Sequence, residues 1–195
     1  MFVINEKLKI VNINQDYLKT LYDADHQVFY APKNYESKPY LGIMINDKNG
    51  NKYIAPLTSA KEKHKDFKNY DYGKLLIFEN VDKSKMGTND IWKENEDGTA
   101  KHILSVLYIT KMVPVKEGTY TEVNINHKST DSKEEHKYKD LLNKEYSFCI
   151  SKKEKIIKEA TKIYDKQMKR GHPMAKSEVN FKKLEKAMKK YKIKN

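Results

Sequence analysis

Two apolar runs separated by an asparagine–glycine turn constrain this chain more than anything else in it. Tyr40-Leu41-Gly42-Ile43-Met44-Ile45 is apolar almost throughout, as a central core strand is. Asp47-Lys48-Asn49-Gly50-Asn51 follows, and Asn-Gly accepts the positive φ that a tight hairpin turn needs. Lys52-Tyr53-Ile54-Ala55-Pro56-Leu57 then offers Tyr53, Ile54 and Leu57 to a pleated, half-buried surface. Residues 40–57 are therefore predicted to form a β-hairpin. Pro56 has no N–H, so it limits ladder pairing beyond it. The far end of the second strand delivers Thr58, Ser59, Lys61 and His64 into a turn. One reading is a rigid element holding polar groups at a surface. The other is an ordinary helix start, with Ser59 as the cap and Glu62 completing a capping box. The two are compatible, because free N–H groups at a helix start bind phosphate.

The rest of the chain arranges itself around that hairpin. A first strand is expected near residues 7–13, followed by a helix capped by Asn14, with Tyr17, Leu18, Leu21 and Tyr22 at helical spacing. Residues 26–37 read as loop. Leu75–Phe78 is a short strand, and residues 80–100 an exposed loop with a short element at Ile91-Trp92. His102–Tyr108 and Lys111–Val115 read as strands, the second placed at an edge or bulge by Pro114. Thr119–Ile125 suits another strand, and residues 126–136 a polar loop. Helices follow, with apolar stripes at Leu141, Leu142 and Cys149, at Ile156, Ala160 and Ile163, and at Phe181, Leu184 and Met188. Ser177 and Asn180 are alternative caps for the last. The expected architecture is a single α+β domain over residues 1–195. Its β-rich part spans 1–125 and its basic helical part 137–195.

Charge points to the partner. The formal net charge is +12. Residues 151–195 hold sixteen Lys plus Arg against five Asp plus Glu, so nearly all of the excess sits in the last quarter. Such a field favours a polyanion, nucleic acid before an anionic membrane surface. Arg170 is the only arginine, so bidentate reading of bases is scarce and phosphate contacts should dominate. Lys63, Lys152, Lys153, Lys182 and Lys183, with His64, are the candidate RNA contacts. Fourteen tyrosines offer stacking faces for unpaired bases, although most are expected in the core. No apolar run is long enough for a membrane span and no leader pattern opens the chain, so a cytoplasmic protein is expected. The single cysteine, Cys149, excludes an intrachain disulfide and a cysteine-based zinc cluster.

The inventory suits RNA cleavage without a metal or other cofactor. The six histidines are scattered, with no His-x3-His pair, and neither a phosphate-binding glycine loop nor G-x-S-x-G is present. RNA supplies its own nucleophile, the 2′-hydroxyl. The protein needs a proton acceptor, a proton donor for the leaving 5′-oxygen, and positive charge on the phosphorane. Lys61 fits the last role, because an ammonium stabilises an oxyanion without a depressed pKa. Ser59 and Thr58 would orient the phosphate or pass a proton. A non-catalytic RNA- or DNA-binding protein is the alternative reading, and a peripheral membrane protein a third.

The hairpin Tyr40-Leu41-Gly42-Ile43, a short turn and Tyr53-Ile54-Ala55-Pro56-Leu57-Thr58-Ser59-Ala60-Lys61 resembles the ToxN/AbiQ family of type III toxin–antitoxin endoribonucleases. Asp16–Leu21, Met112-Val113-Pro114-Val115, Tyr138–Glu145 and Asn180–Glu185 extend the likeness over most of the chain. The resemblance implies a strongly bent antiparallel sheet, barrel-like, with helices around it. It implies a metal-independent endoribonuclease leaving a 2′,3′-cyclic phosphate, and a role in growth arrest and phage defence. The implied partners are cellular and phage RNA and a small structured antitoxin RNA, cut into repeat units and held in a closed toxin–RNA assembly. The family's T-S-x-K falls on Thr58, Ser59 and Lys61, and its upstream tyrosine and basic residue on Tyr35 and Lys38. The chain departs at Tyr108, where a relative has asparagine. The 80–100 and 119–137 segments look like this chain's own.

Overall fold

The computed structural model describes residues 2–3, 8–30, 41–47, 51–68, 73–169 and 178–193, with Val3 and residues 41–46 described as backbone. Tyr35 and Lys38 lie outside these residues. Among the described residues the chain runs β1 (Phe2–Val3), β2 (Lys9–Ile13), α1 (Gln15–Ala24), β3 (Leu41–Asp47), β4 (Lys52–Ser59), β5 (Lys74–Val81), β6 (Trp92–Glu94), β7 (Ala100–Tyr108), β8 (Val113–Val115), β9 (Tyr120–Glu122), α2 (Lys133–Ser151), α3 (Lys153–Met168) and α4 (Phe181–Lys190).

The predicted hairpin is present: β3 and β4 pair antiparallel from Asn46 opposite Lys52 to Gly42 opposite Pro56. Pro56 ends that ladder, but the strand does not stop there. Leu57, Thr58 and Ser59 pair instead along the other edge, with Leu107, Val106 and Ser105 of β7. Nearer the turn that same edge is taken by β8, Lys52 lying opposite Val115 and Ile54 opposite Val113. A 3-10 turn at Ile109–Lys111 separates β7 from β8. β4 is thus the strand through which the sheet is assembled, in the order β5-β7-β4-β3-β2-β9 with β1 on β3, β6 on β7 and β8 on β4. The ladder runs outward from β4 in two directions, and among the described residues no strand joins its ends, so the antiparallel sheet is open rather than a closed barrel.

Local sequence explains most boundaries. The Asn14 side chain accepts from the N–H groups of Asp16 and Tyr17, starting α1, whose Tyr17, Leu18 and Leu21 are buried. Ser132 and Glu135 form a reciprocal capping box at the start of α2. Asn180 caps α4 by accepting from Lys183. β8 is an edge strand, which tolerates Pro114, whose carbonyl accepts from the Tyr17 hydroxyl at 2.7 Å. Part of the expected 80–100 loop is strand. β5 continues to Val81, and β6 pairs Trp92 with His102 across β7.

Helices α3 and α4 cover the hairpin. Tyr53 lies 1% exposed among the rings of Phe2, Tyr164 and Phe181, at centroid distances of 5.0, 5.8 and 6.4 Å. Its hydroxyl and that of Tyr164 both donate to Glu185 on α4, each at 2.8 Å. Gly73 immediately precedes β5, at φ +65°; a Cβ there would come within 2.5 Å of Ile163 and 2.8 Å of Thr110. On the opposite face of β5 and β7, Leu76, Ile103 and Val106 form a second cluster, joined by Ala60, Phe67 and Tyr108. No described helix is long and apolar enough to cross a membrane.

Candidate active site

The far end of β4 sorts its side chains by strand alternation. Thr58 and Ala60 turn to the second cluster, so Ser59 and Lys61 turn the other way. Both are exposed. Among the described residues the Ser59 hydroxyl makes no hydrogen bond and the Lys61 ammonium no ion pair. Ser59 is the last residue of β4 and caps nothing. The element that follows is a 3-10 turn at Glu62–His64, whose N-cap is Lys61. The expected Ser59–Glu62 capping box is therefore corrected: Glu62 pairs instead with Lys65 at 2.8 Å. The extended backbone of Lys61, φ −142° and ψ 157°, keeps the chain in β geometry beyond Ser59 and moves the cap two residues on.

Behind these two exposed groups is a buried polar set. His64 is 1% exposed, and its Nδ1 accepts from the Lys61 N–H at 3.0 Å. In the neutral ring that bond assigns the proton to Nε2, which faces the Tyr108 hydroxyl at 3.4 Å. Burial lowers the His64 pKa below the usual histidine value, and Lys63, Lys61 and Lys74 lower it further, so the ring is neutral at pH 7. Tyr108 is raised by burial, with the neighbouring Thr58 hydroxyl acting in the opposite sense. Thr58 Oγ1 is buried beside the Tyr108 hydroxyl. Phe67 lies against His64 at 4.8 Å and Phe29 against Tyr108 at 5.3 Å. On the α2-facing side of the ladder, Ser59 lies opposite the buried Ser105. Glu145 of α2 is near it and 4% exposed. Burial raises its carboxyl to about 7, with Ser105 pulling the other way.

The family model for the ToxN toxin of type III toxin–antitoxin systems matches residues 9–189. The chain belongs to the ToxN family. The endoribonuclease ToxN of Bacillus thuringiensis subsp. kurstaki is 27% identical over 190 residues, covering 94% of this chain and 84% of that protein. A solved structure of a type III system, described as selective toxin inhibition by a non-coding RNA pseudoknot, superposes with a TM-score of 0.67. It is 22% identical over 95% of this chain and 98% of its own. The lactococcal anti-phage endoribonuclease AbiQ superposes with a TM-score of 0.60 at 20% identity, covering 94% of this chain and 97% of its own.

Within this ToxN-family fold the remaining candidates divide. Lys63 is exposed on the 3-10 turn beside Lys61. His64 is not on the surface, so a direct contact between its ring and RNA does not fit this placement. Lys182 and Lys183 are exposed in the first turn of α4. A run of contacts ties that helix start to the site: Asn180 N–H donates to Asp25 at 2.6 Å and Val179 N–H to the Thr110 carbonyl at 3.3 Å. Lys111 donates to the Gln27 carbonyl at 2.8 Å and lies over Phe29, which packs on Tyr108. Lys152 and Lys153 are half-buried at the α2–α3 junction, Lys152 N–H bonding to the end of α2. A groove of about 810 Å³ beside the turn is walled by residues 65–68 and 93–97 with Lys101. Its four lysines face four carboxylates, so it lacks the net charge of a phosphate track. Sequence reasoning met Tyr108 as a departure from the family pattern; its place behind Thr58 comes from the β4–β7 register. Cys149 is buried and its thiol raised by burial, which makes it an inert core residue.

Proposed function

We propose that this chain is an endoribonuclease toxin that cuts RNA without a metal and is held inactive by a repetitive structured RNA. The ToxN family and its named endoribonucleases support the activity. The observation that carries the site is the pair Ser59 and Lys61, both exposed where β4 leaves the sheet. In the reaction the ribose 2′-oxygen bonds to phosphorus as its proton leaves, and the bond to the 5′-oxygen breaks. The products are a 2′,3′-cyclic phosphate and a 5′-hydroxyl. Lys61 neutralises the charge growing on the phosphoryl oxygens. Ser59 orients the phosphate and Thr58 supports it from the buried side. Tyr35 and Lys38 complete the set on family grounds. Lys63, Lys152, Lys153, Lys182 and Lys183 hold the backbone of substrate and antitoxin RNA, and the closed toxin–RNA assembly belongs to this same reading.

The test is cleavage of a repeat RNA by the purified chain in EDTA, with end-group analysis of the fragments. We expect 2′,3′-cyclic phosphate ends. Ser59→Ala should lower the rate by two or more orders of magnitude, the usual scale for losing a transition-state contact. It should also relieve growth arrest on expression. RNA left intact but bound would favour the non-catalytic nucleic-acid binder instead.

A further inference from the structure

We propose that His127, His136 and Asp140 form a binding site for a divalent transition-metal ion of the zinc type, which clasps the segment before α2 onto that helix. The sequence hides this group, because His127 lies in the polar loop and the other two on the helix. The fold brings them together. His127 Nε2 is 3.0 Å from Asp140 Oδ1, and His136 Nδ1 is 3.4 Å from Asp140 Oδ2. The two imidazoles stack at 3.8 Å between centroids and 20° between planes. One ligand atom from each residue lies within 4.8 Å of the others. A tetrahedral zinc ion with bonds of about 2.0–2.1 Å needs donors about 3.3 Å apart. The two histidine–carboxylate separations, 3.0 and 3.4 Å, are close to that edge but end on different oxygens of Asp140. An imidazole binds in its ring plane, so the stacked rings must turn about their exposed side-chain bonds for both nitrogens to meet one ion.

The chemistry of the donors selects the ion. Two imidazoles and one carboxylate suit zinc, nickel or copper, whereas magnesium and calcium demand oxygen ligands. Three protein ligands leave a fourth position open to water. The surroundings are organised rather than loose. Lys139 pairs with Asp131 at 2.7 Å, Asn143 donates to the Ile125 carbonyl at 2.8 Å, and Ser132 with Glu135 caps α2. These fasten both ends of the 126–131 segment. The metal would add a fastening at its middle, through His127. Nothing in the proposed cleavage chemistry passes through this site.

The experiment is calorimetric titration of Zn²⁺ into the full, untagged chain after chelator treatment, with thermal unfolding as a second readout. We expect about one ion bound per chain and a midpoint that rises with Zn²⁺ and not with Mg²⁺. His127→Ala and Asp140→Ala should each weaken Zn²⁺ binding at least tenfold and abolish the rise in midpoint. His26→Ala, outside the cluster, should leave both unchanged. The proposal is overturned if the wild type shows no saturable Zn²⁺ binding, if His127→Ala binds as tightly as the wild type, or if His26→Ala loses as much.

Discussion

At the scale of single residues, the bond from the Lys61 N–H to His64 Nδ1, 3.0 Å long, decides where the site's exposed ammonium stands. The lysine side chain is exposed, but its backbone is held by a ring that is itself packed on Phe67 and faced by Tyr108. If Lys61 acts as proposed, His64 is a positioning residue. Two substitutions separate that role from a chemical one. His64→Ala removes the acceptor and should cut cleavage on the order of tenfold or more. His64→Asn can return an acceptor near the Nδ1 position and should restore most of the rate, which general-base action by the imidazole would not allow. The pH profile is a further check. The His64 pKa is lower in the fold than in the unfolded chain, so its stabilising contribution is present above the ordinary histidine value. It is lost as pH falls through the lowered one. Protonation turns Nδ1 into a donor facing a donor. Activity that owes its geometry to this bond should survive to below pH 6.5 and then fall. A pH–rate curve centred above that value would contradict the assignment.

Among the elements, β4 and α2 carry the least expected features. The hairpin, the Asn14 and Asn180 caps and the edge position of Pro114 were all legible, because each rests on a local rule about turns, caps or a missing N–H. The change of partners at Pro56 was not. A proline says that one ladder ends, but not that Leu57–Ser59 will find β7 on the other side. That non-local pairing is what brings Tyr108 behind Thr58 and Ser105 beside Ser59. It also explains why capping by Ser59 fails: a residue still in a ladder keeps its extended backbone. α2 then places Glu145 beneath the same pairing, at 4% exposure. Its carboxyl is raised from 4.5 to about 7, so the folded chain holds a proton there that the unfolded chain releases. Stability from this group is full below about pH 4.5 and declines as pH rises through about 7. The whole swing is roughly 3 kcal/mol. Glu145→Gln should flatten that decline and raise the unfolding midpoint at pH 8, measured by thermal denaturation from pH 4 to 8. An unchanged slope would mean that another group titrates.

Across the whole molecule, charge and architecture divide the work. The +12 net charge is concentrated in the C-terminal quarter, while the proposed site lies at the end of a strand in the first third of the chain. The fold reconciles the two through the start of α4, anchored to Asp25 and Thr110 on either side of the segments that pack on Tyr108. Lys182 and Lys183 thus project from a helix start tied to the site. Lysine at such positions contributes through counterion release rather than base recognition. Each phosphate it neutralises on single-stranded RNA adds about 0.7 to the slope of log K against log salt. Lys182→Ala with Lys183→Ala should therefore lower that slope by about 1.4 in filter-binding or fluorescence titrations with a repeat RNA. The loss should be the same for RNAs of different sequence, and the cleavage rate at saturating RNA should be unaffected. A slope unchanged by the double substitution would place the RNA on another face and leave the C-terminal charge without its proposed role.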